Sequence, residues 1–288
     1  MTQHVTYHTL VVEGAPVFYR EAGDPSLPKL VLFHGFPTSS SMFRELIPRL
    51  ADAYHIIAPD YPGFGQSGDP DRKTFAYTFD HLAKVMEAFL VAKGFTDFSM
   101  YVFDYGAPIG FRLALWHPDW IRAIISQNGN VYEAGLGEKW EARAAYWAEP
   151  TAALREQYKA AFQADAVIGQ YTGGEVPGSV SPDGYTLDLA AMAKAGRDEI
   201  QSDLIWDYQT NVRLYPAFQQ YLRENQPPVL CVWGKNDPSF LPAGAEAFKK
   251  DVPRAQVELL DGGHFVLETH GPEIADKIRH FLSQVLHE

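Results

Sequence analysis

The sequence predicts an α/β fold: a mainly parallel central sheet, flanked by helices on both faces and interrupted by one inserted helical block. Three observations carry this. From Val5 to about Gln127, short apolar strand-like runs alternate with helix-period segments. Between about Val131 and Arg223 the alternation stops, and stretches rich in Ala, Glu and Gln take its place. After Pro228 it resumes. The 288 residues could hold two domains, but this pattern reads as one core in two parts, 1–131 and 224–288, with a helical cap at 132–223 over the carboxyl edge of the sheet.

In chain order, apolar runs at Val11, Lys29, His55 and Phe98 predict strands, with an antiparallel pair possible at the start. Helical periodicity covers Ser41 to Leu50 and Tyr77 to Ala92, and Ile121 to Gln127 adds a strand. Within the cap, Gly173 to Gly184 is rich in Gly, Pro and Ser and reads as a loop. Twelve aromatic residues lie between Trp140 and Tyr221. Most should pack cap helices together, leaving a few to line a closed apolar pocket. Pro227 to Trp233 and Ala255 to Leu260 read as strands, and Pro272 to Leu286 as the closing helix.

Composition sets outer bounds. Hydrophobic residues make up 46% of the chain, ample for a core, and neither a long apolar span nor a basic, signal-like amino terminus is present. A net charge of −12 provides no basic footprint for nucleic acid or an anionic membrane. The single cysteine, Cys231, sits in an apolar strand, where packing is its expected role, and is compatible with a reducing compartment. The expectation is therefore a cytoplasmic protein acting on a small, largely apolar molecule, with no nucleic-acid or membrane partner. No metal or cofactor is called for: Gly63 to Gly68 is glycine-rich but lacks the lysine of a phosphate loop and reads as a turn. Oligomeric state is not legible.

The chemistry centres on Tyr101-Val-Phe-Asp104-Tyr-Gly-Ala107, where an apolar strand runs into an aspartate on a tight strand-to-helix turn. A carboxylate with a reference pKa of about 3.9 is ionised at neutral pH and attacks without a base. Its suitable target is a saturated carbon, because attack there yields an ordinary ester that water can cleave, whereas attack on an ester or amide yields an anhydride. Asp237 follows a strand at Gly234-Lys-Asn-Asp237, and Asp261-Gly-Gly-His264 presents a histidine on a loop that its glycines should loosen. His264 is the candidate base for water and Asp237 its orienting acid. Asn128 and Asn130 are alternatives for the orienting role, with a simple turn at Gly129 the favoured reading. The backbone N–H groups of Phe36, in a rigid turn before Pro37, and of Tyr105 could form an oxyanion hole. His34 is expected to bridge loops by hydrogen bonds.

Five segments, His34-Gly-Phe-Pro37, Asp60-Tyr-Pro-Gly-Phe-Gly-Gln-Ser-Gly68, Val102-Phe-Asp104-Tyr-Gly106, Trp233-Gly-Lys-Asn-Asp237 and Gly263-His264-Phe265, resemble in order those of the α/β-hydrolase superfamily. Within it they resemble the aspartate-nucleophile branch of epoxide hydrolases and haloalkane or haloacetate dehalogenases. The resemblance spans nearly the whole chain and implies an α/β-hydrolase fold with an inserted helical cap. For an epoxide it implies cap tyrosines that protonate the leaving oxygen. Glu149-Pro150 matches one family anchor, but Arg143 stands seven residues before the proline; Tyr146 and Trp147 lie one turn on. The second anchor points to Gln209, with Tyr208 beside it. Tyr146 and Tyr208 therefore carry the tyrosine roles, while Trp147 and Arg143 join them as candidate substrate or leaving-group residues. Haloalkane enzymes usually have tryptophan where Tyr105 stands. Haloacetate enzymes share His-Gly-Phe-Pro but place His-Trp near Arg143-Ala144, where an inward Arg143 could instead hold a carboxylate.

The sequence thus points to hydrolysis at an sp3 carbon through an alkyl-Asp104 ester, most simply of an epoxide. The alternatives are a dehalogenase and a non-catalytic small-molecule binding protein on the same fold.

Overall fold

The computed structural model describes residues 4–286. Eight strands, β1 (Thr6–Val12), β2 (Ala15–Ala22), β3 (Lys29–Phe33), β4 (His55–Pro59), β5 (Phe98–Phe103), β6 (Ile121–Gln127), β7 (Val229–Gly234) and β8 (Gln256–Leu260), form one sheet in the order β1-β2-β4-β3-β5-β6-β7-β8. β2 pairs antiparallel with β1 and β4, and every other pair is parallel. The opening pair is a hairpin whose two turn residues, Glu13 and Gly14, both have positive φ, the turn geometry that matches strand twist.

Strands β3 to β7 are almost wholly buried, so their sequences are continuous apolar runs rather than alternating ones. On one face pack the helices Phe79–Lys93, Gly106–Trp116 and Pro242–Asp251, with Phe89, Phe111 and Phe248 in the core. Leu46–Leu50 and Leu267–Val285 cover the other face through Leu46, Ile47, Ile278 and Phe281. Fully burying each such side chain contributes about 1.5–3 kcal/mol. The helix at 79 starts where the Thr78 side chain accepts the His81 N–H and ends at Gly94 in the left-handed region. Among the described residues no helix is long and apolar enough to cross a membrane.

Some expected boundaries shift for local reasons. The segment Ser41 to Leu50 is not one helix: a 3-10 turn, Ser40–Phe43, precedes Leu46–Leu50, because the Ser39 and Asp60 side chains take the N–H groups of Ser41 and Ser40. The loop at Gly173 ends early, since Pro182 opens the helix Pro182–Met192 at a first-turn position where its missing N–H is harmless. Leu267–Val285 begins ahead of Pro272 and kinks at His270.

Between β6 and β7 stand the helices Lys139–Ala148, Ala152–Tyr158, Ala164–Thr172, Pro182–Met192, Arg197–Asp207 and Gln209–Asn225. Two buried arginines and a helix cap tie this insertion to the core. Arg197 reaches Asp69 and the carbonyls of Gly65 and Ser67, Arg112 reaches Asn211, and Asp207 accepts the Phe79 N–H at 2.7 Å.

Candidate active site

The sheet order places the site. Strands β3 and β5 are parallel neighbours, Phe33 opposite Val102, yet the chain leaves β3 toward β4 on one side and returns to β5 on the other. Such a reversal opens a crevice beyond the carboxyl ends of the two strands. The loop after β3 brings Phe36 into it and the turn after β5 brings Asp104. Asp104 has φ of +47°, a left-handed conformation that an aspartate tolerates better than most residues. Gly106 follows because a Cβ there would lie 2.3 Å from the Phe33 carbonyl oxygen, so only glycine lets the next helix pass so close to β3.

The two oxygens of Asp104 have different surroundings. Oδ1 accepts the Phe36 N–H at 2.6 Å, and the Tyr105 N–H lies near enough to favour the charged carboxylate. Oδ2 lies 3.8 Å from Nε2 of His264. Burial pushes the Asp104 pKa up, with the His264 charge, the two N–H groups and Arg143 opposing it; the net direction is upward. The Phe36–Pro37 bond is cis.

His264 and Asp237 arrive on the loops after β8 and β7. Nδ1 of His264 meets Asp237 Oδ2 at 2.6 Å. An ionised Asp237 can only accept, so Nδ1 carries the hydrogen and Nε2 faces Asp104. Burial lowers the His264 pKa, but Asp237 and then Asp104 raise it further, leaving it above 6.5. Asp237 moves the other way: burial raises it, and His264 with the N–H groups of Ser239 and Phe240 brings it below the usual value.

Asn128 does more than turn. It is itself left-handed at φ of +45°, its Oδ1 accepts the Gly234 N–H at 2.9 Å, and its Nδ2 donates to Asp237 Oδ2 at 2.8 Å. Thus a carboxamide, not a second acid, braces the Asp237 carboxylate; a polar residue at the end of a buried strand was the available signal. His34 links the loops as expected: its Nε2 accepts the Tyr61 N–H at 3.2 Å, and burial lowers its pKa to about 4. The Gly63 to Gly68 turn wraps around Asp60, whose carboxylate also accepts the Ser40 N–H.

Helices of the insertion supply an aromatic wall. Tyr208 is fully buried, with its ring 5.6 Å from Tyr105, 4.6 Å from Trp140 and 5.5 Å from Phe79. Its hydroxyl lies near that of Tyr215 but makes no well-formed hydrogen bond among the described residues, and burial holds its pKa well above 10. Tyr215, passed over in the sequence beyond its membership of the aromatic set, stands next to it; the Tyr215 hydroxyl accepts Asn130 Nδ2 at 3.3 Å. Tyr146 is buried against Tyr158, with ring centroids 4.8 Å apart. Trp147 stacks parallel to Tyr208 at 6.3 Å, but its indole N–H is committed to the Ile205 carbonyl at 3.0 Å, which removes it as a free donor. Arg143 is half-buried over the Trp140 ring at 4.1 Å, and its charge offsets a small part of the burial that raises the pKa of both Asp104 and Tyr105.

The α/β-hydrolase fold family matches residues 28–271. The chain is 46% identical to an uncharacterised hydrolase of Saccharomyces cerevisiae, YNR064C, over 94% of its own length and 95% of the relative's. It is 27% identical to a haloalkane dehalogenase of Mycobacterium marinum, covering 90% of this chain and 86% of that one. Two solved structures share the architecture. Haloalkane dehalogenase DbeA of Bradyrhizobium elkani has a TM-score of 0.81 at 22% identity, covering 99% of both chains. A provisionally named epoxide hydrolase of Pseudomonas aeruginosa has a TM-score of 0.80 at 21% identity, covering 98% of this chain and 97% of that one. At those identities the structures speak to fold alone. With six of its eight strands inside the family match and nearly all of the sequence aligned to the yeast hydrolase, the chain belongs to the α/β-hydrolase family and is a hydrolase of that fold.

Proposed function

We propose that this hydrolase acts at a saturated carbon through a covalent ester on Asp104, and that its substrate is an epoxide. One observation carries the reading: Asp104 has one oxygen on the Phe36 N–H at 2.6 Å and the other left free, 3.8 Å from a histidine that is itself oriented by Asp237. Oδ2 attacks the epoxide carbon as the carbon–oxygen bond breaks, and the departing oxygen takes the Tyr208 proton. Esterification removes the Asp104 charge and with it one of the influences raising the His264 pKa. Neutral His264 then takes a proton from water, whose oxygen adds to the Asp104 carbonyl carbon. The resulting oxyanion stays on the Phe36 and Tyr105 N–H groups, an arrangement whose single donors are worth about 3–4 kcal/mol elsewhere. Collapse releases the diol with a proton from His264, and re-ionisation of the Asp104 acid restores the Tyr208 phenol.

Two features favour an epoxide over a halide. A departing alkoxide needs an acid, and Tyr208 offers a buried hydroxyl that is tied to no carboxylate or backbone acceptor. A departing halide is held best by more than one free donor, and the indole N–H groups of Trp140 and Trp147 are both occupied by backbone carbonyls. In this reading residues 132–223 form a cap that keeps bulk water from the site, and Arg143 holds a polar or anionic end of the small molecule.

The test is a single turnover in heavy-oxygen water with enzyme in excess, run on epoxides, haloalkanes and haloacetates. An epoxide should turn over, its first product carrying a light oxygen while the label enters the Asp104 peptide. Heavy oxygen in the first product with an unlabelled peptide would mean that water attacks the substrate directly. Separately, Tyr208→Phe should slow ester formation from an epoxide about 100-fold, the scale of general-acid assistance, and leave ester formation from a halide unchanged. Tyr146→Phe should have the smaller effect. Rapid-quench mass spectrometry resolves the step, and an unaltered rate in Tyr208→Phe would remove it as the acid.

A further inference from the structure

We propose that Glu175, on the loop after the Ala164–Thr172 helix of the insertion, is a positioning residue for His264 and sets the rate of ester hydrolysis; this rests on the reading of His264 as the base. Glu175 reaches out of the insertion and brackets the loop that bears the histidine. Its Oε1 accepts the Gly263 N–H at 2.7 Å, immediately before His264, and its Oε2 accepts the Thr269 hydroxyl at 2.9 Å, beyond it. Gly263 N–H has no other partner among the described residues. Beside this bond the Gly174 carbonyl accepts Asn236 Nδ2 at 2.9 Å, next to Asp237. The insertion therefore grips both the loop of the base and the loop of its orienting acid.

Three glycines let the loops come this close. A Cβ on Gly263 would stand 1.8 Å from the Gly173 carbonyl oxygen, one on Gly262 would stand 2.7 Å from Glu175 Oε1, and one on Gly174, at φ of +82°, would stand 2.8 Å from Asn236. The glycines before His264, expected to loosen its loop, in fact admit a clamp. A carboxylate on a backbone N–H is a charge-assisted bond of above-average strength. Among the described residues, the side-chain restraint on the histidine's own backbone is Gln127 Nε2 on the His264 carbonyl at 3.1 Å. Without Glu175 the turn before His264 can shift while Asp104 and the Phe36 cradle, on β5 and β3, stay in place. The two half-reactions should then separate: ester formation needs only Asp104 and the leaving-group acid, whereas hydrolysis needs Nε2 placed against a water.

In single turnovers followed by intact mass spectrometry, Glu175→Ala should form the Asp104 ester within about twofold of the wild-type rate. Its hydrolysis should slow by ten-fold or more, in line with the losses that follow a displacement of about 1 Å in a reacting group. Glu175→Gln, which keeps an acceptor for the Gly263 N–H, should restore most of the hydrolysis rate, and Glu175→Asp, one methylene shorter, should not. A folded Glu175→Ala with both rates unchanged would overturn the assignment. So would an equal slowing of both steps, which is what general loosening of the fold produces. Should the alanine variant not fold, the Asp and Gln variants decide: wild-type hydrolysis in both overturns the proposal. If wild-type enzyme forms no ester at all, the reading of Asp104 fails instead, and this is visible before any Glu175 variant is made.

Discussion

His264→Gln should yield an enzyme that reacts once and stops. Its Asp104 and the Phe36 N–H remain in place, so ester formation proceeds, but glutamine cannot take a proton from water. Hydrolysis of the ester should fall by about 10³-fold or more, within the range of general-base catalysis. Intact mass spectrometry should show a stable adduct, and its mass also identifies the chemistry. Ring opening adds the whole substrate, whereas displacement of halide adds the substrate less hydrogen halide. Multiple turnovers without an adduct, from a substrate the wild type consumes, would eliminate the two-step scheme.

Asp104→Ala should abolish turnover and adduct formation together, a loss on the order of 10⁶-fold by comparison with removal of other catalytic nucleophiles. The fold should persist. Alanine is less at ease than aspartate in a left-handed conformation, by about 1 kcal/mol, while deletion of a buried, burial-raised carboxylate acts in the opposite direction. The melting temperature should therefore move by only a few degrees. Wild-type rates from the folded variant would dismiss Asp104 as the nucleophile.

Much of this geometry was legible because parallel strands announce their own carboxyl ends. Asp104 directly follows an apolar run, Asp237 and His264 stand within four residues of the end of one, and the switch point of the sheet brings Asp104 to the same crevice as Phe36. Asn128 was less visible, since a residue after a strand can turn, brace a neighbour or do both, and only the approach of β7 to β6 reveals its bond to Asp237. The insertion was hardest to read. Its aromatics have no period that distinguishes the ring facing Tyr105 from the ring facing another helix, so Tyr146 and Tyr208 looked equivalent and Trp147 looked like a donor. Indole and carboxylate partners far apart in sequence, such as Trp147 with Ile205 or Glu175 with Gly263, depend on packing that no local pattern encodes.

Strand β6 ends at Gln127, and its parallel neighbour β7 starts only at Val229. A ribosome adding about 5–20 residues per second takes roughly 5–20 s to make the intervening hundred residues. Throughout that interval Ile124 and Ile125, central and fully buried in the finished sheet, lie in a strand with one open edge. An open apolar edge is a template for pairing with another chain. The insertion proposed to screen the site therefore also prolongs the period in which this edge of the newborn chain is open, making its yield sensitive to the speed of translation through the helical segment and to chaperones that can occupy β6.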